Sequence, residues 1–109
     1  GNRDTTKRPK MGKVAADLAD KVYITSDNPR DEEPESIISQ ILAGIADKSH
    51  VCVEVDRRQA IAAAIKEAGP ADMVLIAGKG HETYQIFSHR TIEFDDAQVA
   101  KESIDEKFL

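Results

Sequence analysis

The chain has 109 residues, 40% of them hydrophobic and 32% charged, with a net charge of -5. That describes one globular domain (1-109) with a single core, too short for a typical two-domain enzyme. No apolar run is long enough for a transmembrane span or a secretory leader, and the negative balance argues against a general nucleic-acid binder, which needs clustered cations. Lys7, Arg8, Lys10 and Lys13 do cluster, and they read as a solvated face, the alternative being an attractor for an anionic substrate. Cys52 is the single cysteine, inside the apolar run Val51 to Val55. A small buried hydrophobe is expected there, with no disulfide within the chain and a fit to a reducing cytosol.

Residues 1 to 10 lack periodicity and read as a loop, with Pro9 near the first turn of a helix. Met11, Val14, Ala15, Leu18 and Ala19 then recur at three- and four-residue spacing, predicting a helix that ends near Asp20 and buries that face. Val22 to Thr25 reads as a buried strand, stopped by Ser26-Asp27-Asn28-Pro29-Arg30, because Asp and Asn bond back to their own backbone and Pro fixes φ. Pro34 opens a second helix with an inward stripe of Ile37, Ile38, Ile41, Leu42 and Ile45. Asp31, Glu32, Glu33 and Glu35 gather at its N-terminus, where the helix dipole favours negative charge.

Val51 to Val55 is the next expected strand, and Asp56 is a suitable N-cap for a helix through Ala60, Ile61, Ala64, Ile65 and Ala68, closed by Gly69-Pro70. Met73 to Ala77 is the most hydrophobic strand candidate and is expected at the sheet centre. A hairpin around Ser88-His89 and a last helix opened by Asp95-Asp96, with Val99, Ile104 and Phe108 inward, complete the chain. Helix and strand alternate, so the expected class is α/β, with a mostly parallel sheet and a C-terminal β-hairpin. The opening helix lacks the strand a crossover normally follows, so a missing first strand is expected, the alternative being a complete domain that begins with a helix.

Ligands of open α/β sheets sit beyond the carboxyl ends of the strands. The loops Thr25 to Arg30 and Gly78 to Glu82 fall there, and Arg3 and Asp4 join them if a strand precedes the first helix. Asp27, Asn28 and Arg30 offer a carboxylate, an amide and a guanidinium, suited to a zwitterion; alone they also pass as a turn with a salt-bridging arginine. Gly78-Lys79-Gly80-His81-Glu82 lacks the spacing and hydroxyl of a phosphate-binding P-loop, and a close-packing glycine turn is the equal alternative. No metal site is expected, because adjacent His81 and Glu82 side chains diverge and no further ligand has a metal-site spacing.

Gly1-Asn2-Arg3-Asp4 with Lys7-Arg8-Pro9, then Thr25 to Arg30, then Ile76 to Gln85, together resemble the C-terminal domain of the Mur ligases. The likeness runs through nearly the whole chain in order, and is strongest to the members that add the third residue of the peptidoglycan stem peptide. It implies a Rossmann-like domain, cut after its first strand, that receives the incoming amino acid. The other domains of such an enzyme would hold UDP-N-acetylmuramoyl-L-alanyl-D-glutamate, ATP and Mg2+, and ligation would pass through an acyl phosphate. Asp27-Asn28-Pro29-Arg30 resembles the motif of the meso-diaminopimelate-adding members, whereas lysine-adding relatives differ there. By the resemblance, Arg3, Asn28 and Arg30 face carboxylates, Pro29 belongs to the motif, and Asp27, Glu82 and the Gly78 backbone face the ammonium. Asp4, Lys7, Lys79 and His81 are the residues expected near nucleotide or phosphate. A cytoplasmic monomer without membrane or nucleic-acid partners is expected, inactive as an isolated domain. The alternatives are a lysine-adding domain and a non-catalytic α/β small-molecule-binding module.

Overall fold

A computed structural model describes residues 7-78 and 82-108, ordered as α1 (Lys7–Leu18), β1 (Val22–Ile24), α2 (Pro34–Leu42), β2 (Val51–Val53), α3 (Arg57–Glu67), β3 (Tyr84–Ile86), β4 (Thr91–Glu93) and α4 (Asp96–Lys107). The α/β class holds. Parallel pairing joins β1 to β2, with Val22 opposite Val51 and Ile24 opposite Val53. β3 and β4 form the expected antiparallel hairpin, Tyr84 opposite Glu93. A single parallel bridge from Arg30 to Phe87 links the loop after β1 to the end of β3.

The helices begin where their caps dictate. The Asp56 carboxylate accepts from the Gln59 amide at the start of α3, and Asp95 accepts from Ala97 and Gln98 at the start of α4. α2 opens on Pro34, whose missing N–H is no loss in a first turn. Apolar side chains collect in two clusters among the described residues. Val22, Ile24, Ile38 and Ile45 pack with Ala15, Ala16 and Ile41, while Ile61, Ile65, Phe94 and Val99 pack with Ile76 and Ala100.

Four expectations are corrected. Met73 to Ala77 form no strand, and Met73 and Leu75 are 94% and 86% exposed. An apolar run becomes a strand only where its backbone finds a ladder, and no described segment pairs with it. α1 does not bury its larger side chains: Met11, Val14 and Leu18 are exposed, and Arg8 and Gly12 are the buried positions. A Cβ at Gly12 would lie 2.2 Å from the Ile41 carbonyl oxygen, so α1 meets α2 by backbone approach along a small-residue face. Arg8 is not part of a solvated basic face. Its guanidinium, 5% exposed, donates to both Glu32 carboxylate oxygens at 2.8 and 2.9 Å and to Gln40 at 2.8 Å. The Glu32 hydrogen bond raises the Arg8 pKa above its usual value, and Arg8 thereby ties α1 both to the loop entering α2 and, through Gln40, to α2 itself. Finally, Ile104 of the last helix and Phe108 just after it are exposed.

Candidate functional site

The loop leaving β1 is anchored residue by residue. The Thr25 and Ser26 hydroxyls donate to the Val55 carbonyl at 3.3 and 2.7 Å, pinning the loop to the segment just after β2. Asn28 is 5% exposed, and its Oδ1 accepts from the Ile86 amide at 2.9 Å. Pro29 is fully buried. Arg30 then turns back, donating its own amide to the Ile86 carbonyl at 3.0 Å with φ at 54°. That left-handed backbone is uncommon for a side chain with a Cβ and persists only where its surroundings over-determine it. Here they do, because the bonds at Asn28 and Arg30 bracket Ile86 from both sides.

The second loop comes to the first. Gly78 has φ +114°, and a Cβ built there would stand 3.6 Å from the Asp27 carboxylate oxygen and 3.9 Å from Arg57 Nη2. Asp27 and Gly78, 51 positions apart in sequence by their numbers, are thus brought side by side. Glu82, half-buried, accepts at 3.4 Å from the Tyr84 hydroxyl at the start of β3. Lys7 is exposed at the first turn of α1. Arg3, Asp4, Lys79 and His81 lie outside the described residues.

Behind these loops stands a buried polar cluster that sequence reasoning missed. Arg57, 4% exposed, pairs in a fork with Asp96 at 2.8 and 2.6 Å, and donates to the carbonyls of Ser26 at 3.2 Å and Ala77 at 3.1 Å. Gln85, 3% exposed, donates to the Ser26 hydroxyl at 3.2 Å and the Asp27 carbonyl at 2.7 Å. The one sequence signal for Arg57 was its place directly after a helix N-cap, where a cation opposes the dipole and therefore needs another partner.

Among the described residues no group of three His, Cys, Asp or Glu side chains is placed to hold a metal ion, and no helix is long and apolar enough to cross a membrane.

The profile of the family described as Mur ligase, glutamate ligase domain, matches residues 1–80. The UDP-N-acetylmuramoyl-L-alanyl-D-glutamate--2,6-diaminopimelate ligase of Trichormus variabilis is 55% identical over 107 residues, 98% of this chain and 22% of that protein. The ligase of the same name from Aquifex aeolicus is 57% identical over 102 residues, 94% of this chain and 21% of that one. A solved structure of such a ligase superposes with a TM-score of 0.93 at 42% identity, covering 100% of this chain and 23% of the other. The chain therefore spans about a fifth of the length of these relatives.

Proposed function

Because the chain belongs to the Mur ligase family, whose glutamate ligase domain it matches over residues 1–80, we propose that it is the amino-acid-binding domain of a ligase that adds meso-diaminopimelate to UDP-N-acetylmuramoyl-L-alanyl-D-glutamate. What supports this most is the convergence of the Asp27 to Arg30 loop with Gly78, which sets the Asp27 carboxylate beside the Gly78 backbone, on a loop that also carries the Arg30 guanidinium. Diaminopimelate carries a second ammonium and carboxylate at its far end. An arginine fork grips that carboxylate in two parallel bonds, and lysine offers none. In this proposal Arg30, Asn28 and Arg3 serve carboxylates, while Asp27, Glu82 and the Gly78 backbone serve the ammonium.

When bound, ATP would supply the phosphoryl group that activates the acceptor's terminal carboxylate, ADP leaving, and attack by the incoming amine would then release phosphate. Among the described residues no group of three His, Cys, Asp or Glu side chains gathers, and of the residues expected near phosphate only Lys7 is described. Because the chain spans about a fifth of the length of its relatives, this proposal assigns ATP and Mg2+ to the parts of such a ligase that the chain does not cover. This domain's task is to orient the incoming amine and neutralise the ligand's carboxylates, both of which lower a barrier by pre-organisation. The enzyme is proposed to act as a cytoplasmic monomer.

The decisive experiment is calorimetry on the full-length ligase. Arg30→Ala is expected to weaken diaminopimelate binding by roughly tenfold or more, the worth of one charge-assisted contact, with ATP affinity unchanged. Unchanged diaminopimelate affinity would remove the role given to Arg30, and a wild-type enzyme that takes lysine instead would correct the substrate.

A further inference from the structure

We propose that Arg57, held by Asp96, is the positioning residue that sets the spacing of the two loops on which the amino-acid site is built. The inference rests on the functional reading above. Its starting point is where the guanidinium's bonds go. Nη1 meets the carbonyl of Ser26, the residue before Asp27, and Nη2 meets the carbonyl of Ala77, the residue before Gly78. One planar group therefore holds both loops at the peptide immediately preceding a site residue. Nε and Nη2 are also committed to Asp96 at the first turn of α4, which fixes the plane and leaves the fork no other orientation.

Packing needs alone do not call for such a pair. Buried ion pairs are often replaceable by apolar side chains without loss of stability, and α3 and α4 already share the cluster of Ile61, Ile65, Phe94 and Val99. What an apolar replacement cannot supply is two donors aimed at two carbonyls from separate loops. Lysine cannot supply them either, because one ammonium lacks the fork that reaches Asp96 and both carbonyls together. Gly78 fits the same picture: the space a side chain would fill there is flanked by the Asp27 carboxylate and the Arg57 guanidinium. A shift of Arg57 therefore moves both walls facing the ligand, and small misplacements of a bound reactant carry large kinetic costs.

The test uses steady-state kinetics of the full-length ligase with each of its three substrates varied in turn. Arg57→Lys is expected to raise KM for the amino acid roughly tenfold or more, leaving KM for ATP and for the nucleotide-linked acceptor within about twofold. The double variant Arg57→Met/Asp96→Leu, which removes both charges together, is expected to keep a wild-type melting temperature and to show the same selective rise. A wild-type amino-acid KM in either folded variant overturns the proposal, as does an equal loss toward all three substrates, the signature of general destabilisation. If the lysine variant yields no folded protein, the double variant decides alone. Should the wild-type enzyme use lysine in place of diaminopimelate, only the substrate assignment falls, and the same split is read on lysine.

Discussion

At the scale of single residues, the site is set by backbone positions that tolerate few side chains. Gly78 is the clearest. A methyl group there would make only ordinary contacts, the nearest at 3.6 Å, so space does not forbid alanine; φ at +114° does. Gly78→Ala is expected to destabilise the chain by about 1 to 3 kcal/mol through backbone strain, read as a lower urea midpoint at unchanged slope. A variant as stable as wild type would show that the loop relaxes freely. The motif residues Asp27 to Arg30 stood out in the sequence because turn chemistry and charge coincide there. The buried positions of Asn28, Arg57 and Gln85 did not stand out, since polar residues are mostly exposed. The partners that make their burial tolerable lie far off in the chain, Asp96 being 39 positions from Arg57.

At the scale of elements, capped and striped segments were legible and close-packed ones were not. α3 and α4 begin at the aspartates that cap them, and the isoleucine stripe of α2 faces inward at Ile38 and beyond it at Ile45. α1 was misread because periodicity weighs side-chain volume, whereas this helix docks by having none at Gly12. Gly44, just after α2, makes the reciprocal approach: a Cβ there would fall 1.8 Å from the Pro9 carbonyl oxygen. The central strand at 73 to 77 was misread for a different reason, since hydrophobicity predicts burial but not the presence of a pairing neighbour. The α1 contact reverses a usual rule. Glycine to alanine in a helix interior ordinarily stabilises by about 1 kcal/mol, yet Gly12→Ala is expected to destabilise by about 2 kcal/mol, the cost of overpacking against a rigid carbonyl. Thermal melting of this single variant distinguishes the two signs.

At the scale of the whole molecule, a polar tie between β1 and α3 responds to pH. Tyr23 on β1 donates its hydroxyl to Glu67 at the end of α3, with Lys21 3.9 Å from the same carboxylate. Burial and the hydrogen bond to Glu67 push the Tyr23 phenol up to about 12, from an ordinary 10.0. A folded-state pKa above the unfolded one means the folded chain holds the proton more tightly. The stabilisation is therefore complete below pH 10.0 and is lost as pH rises through about 12, when a tyrosinate would face the carboxylate. Because the pair is partly exposed, its worth is about 1 kcal/mol. Wild type is accordingly expected to exceed Tyr23→Phe by that amount below pH 10.0, with the gap closing across the window up to about 12. Denaturant titrations of both proteins at stepped pH measure it. A gap that persists unchanged above this window, or a tyrosinate absorbance step with its midpoint near 10.0 that Tyr23→Phe removes, would show that Tyr23 does not hold its proton through Glu67.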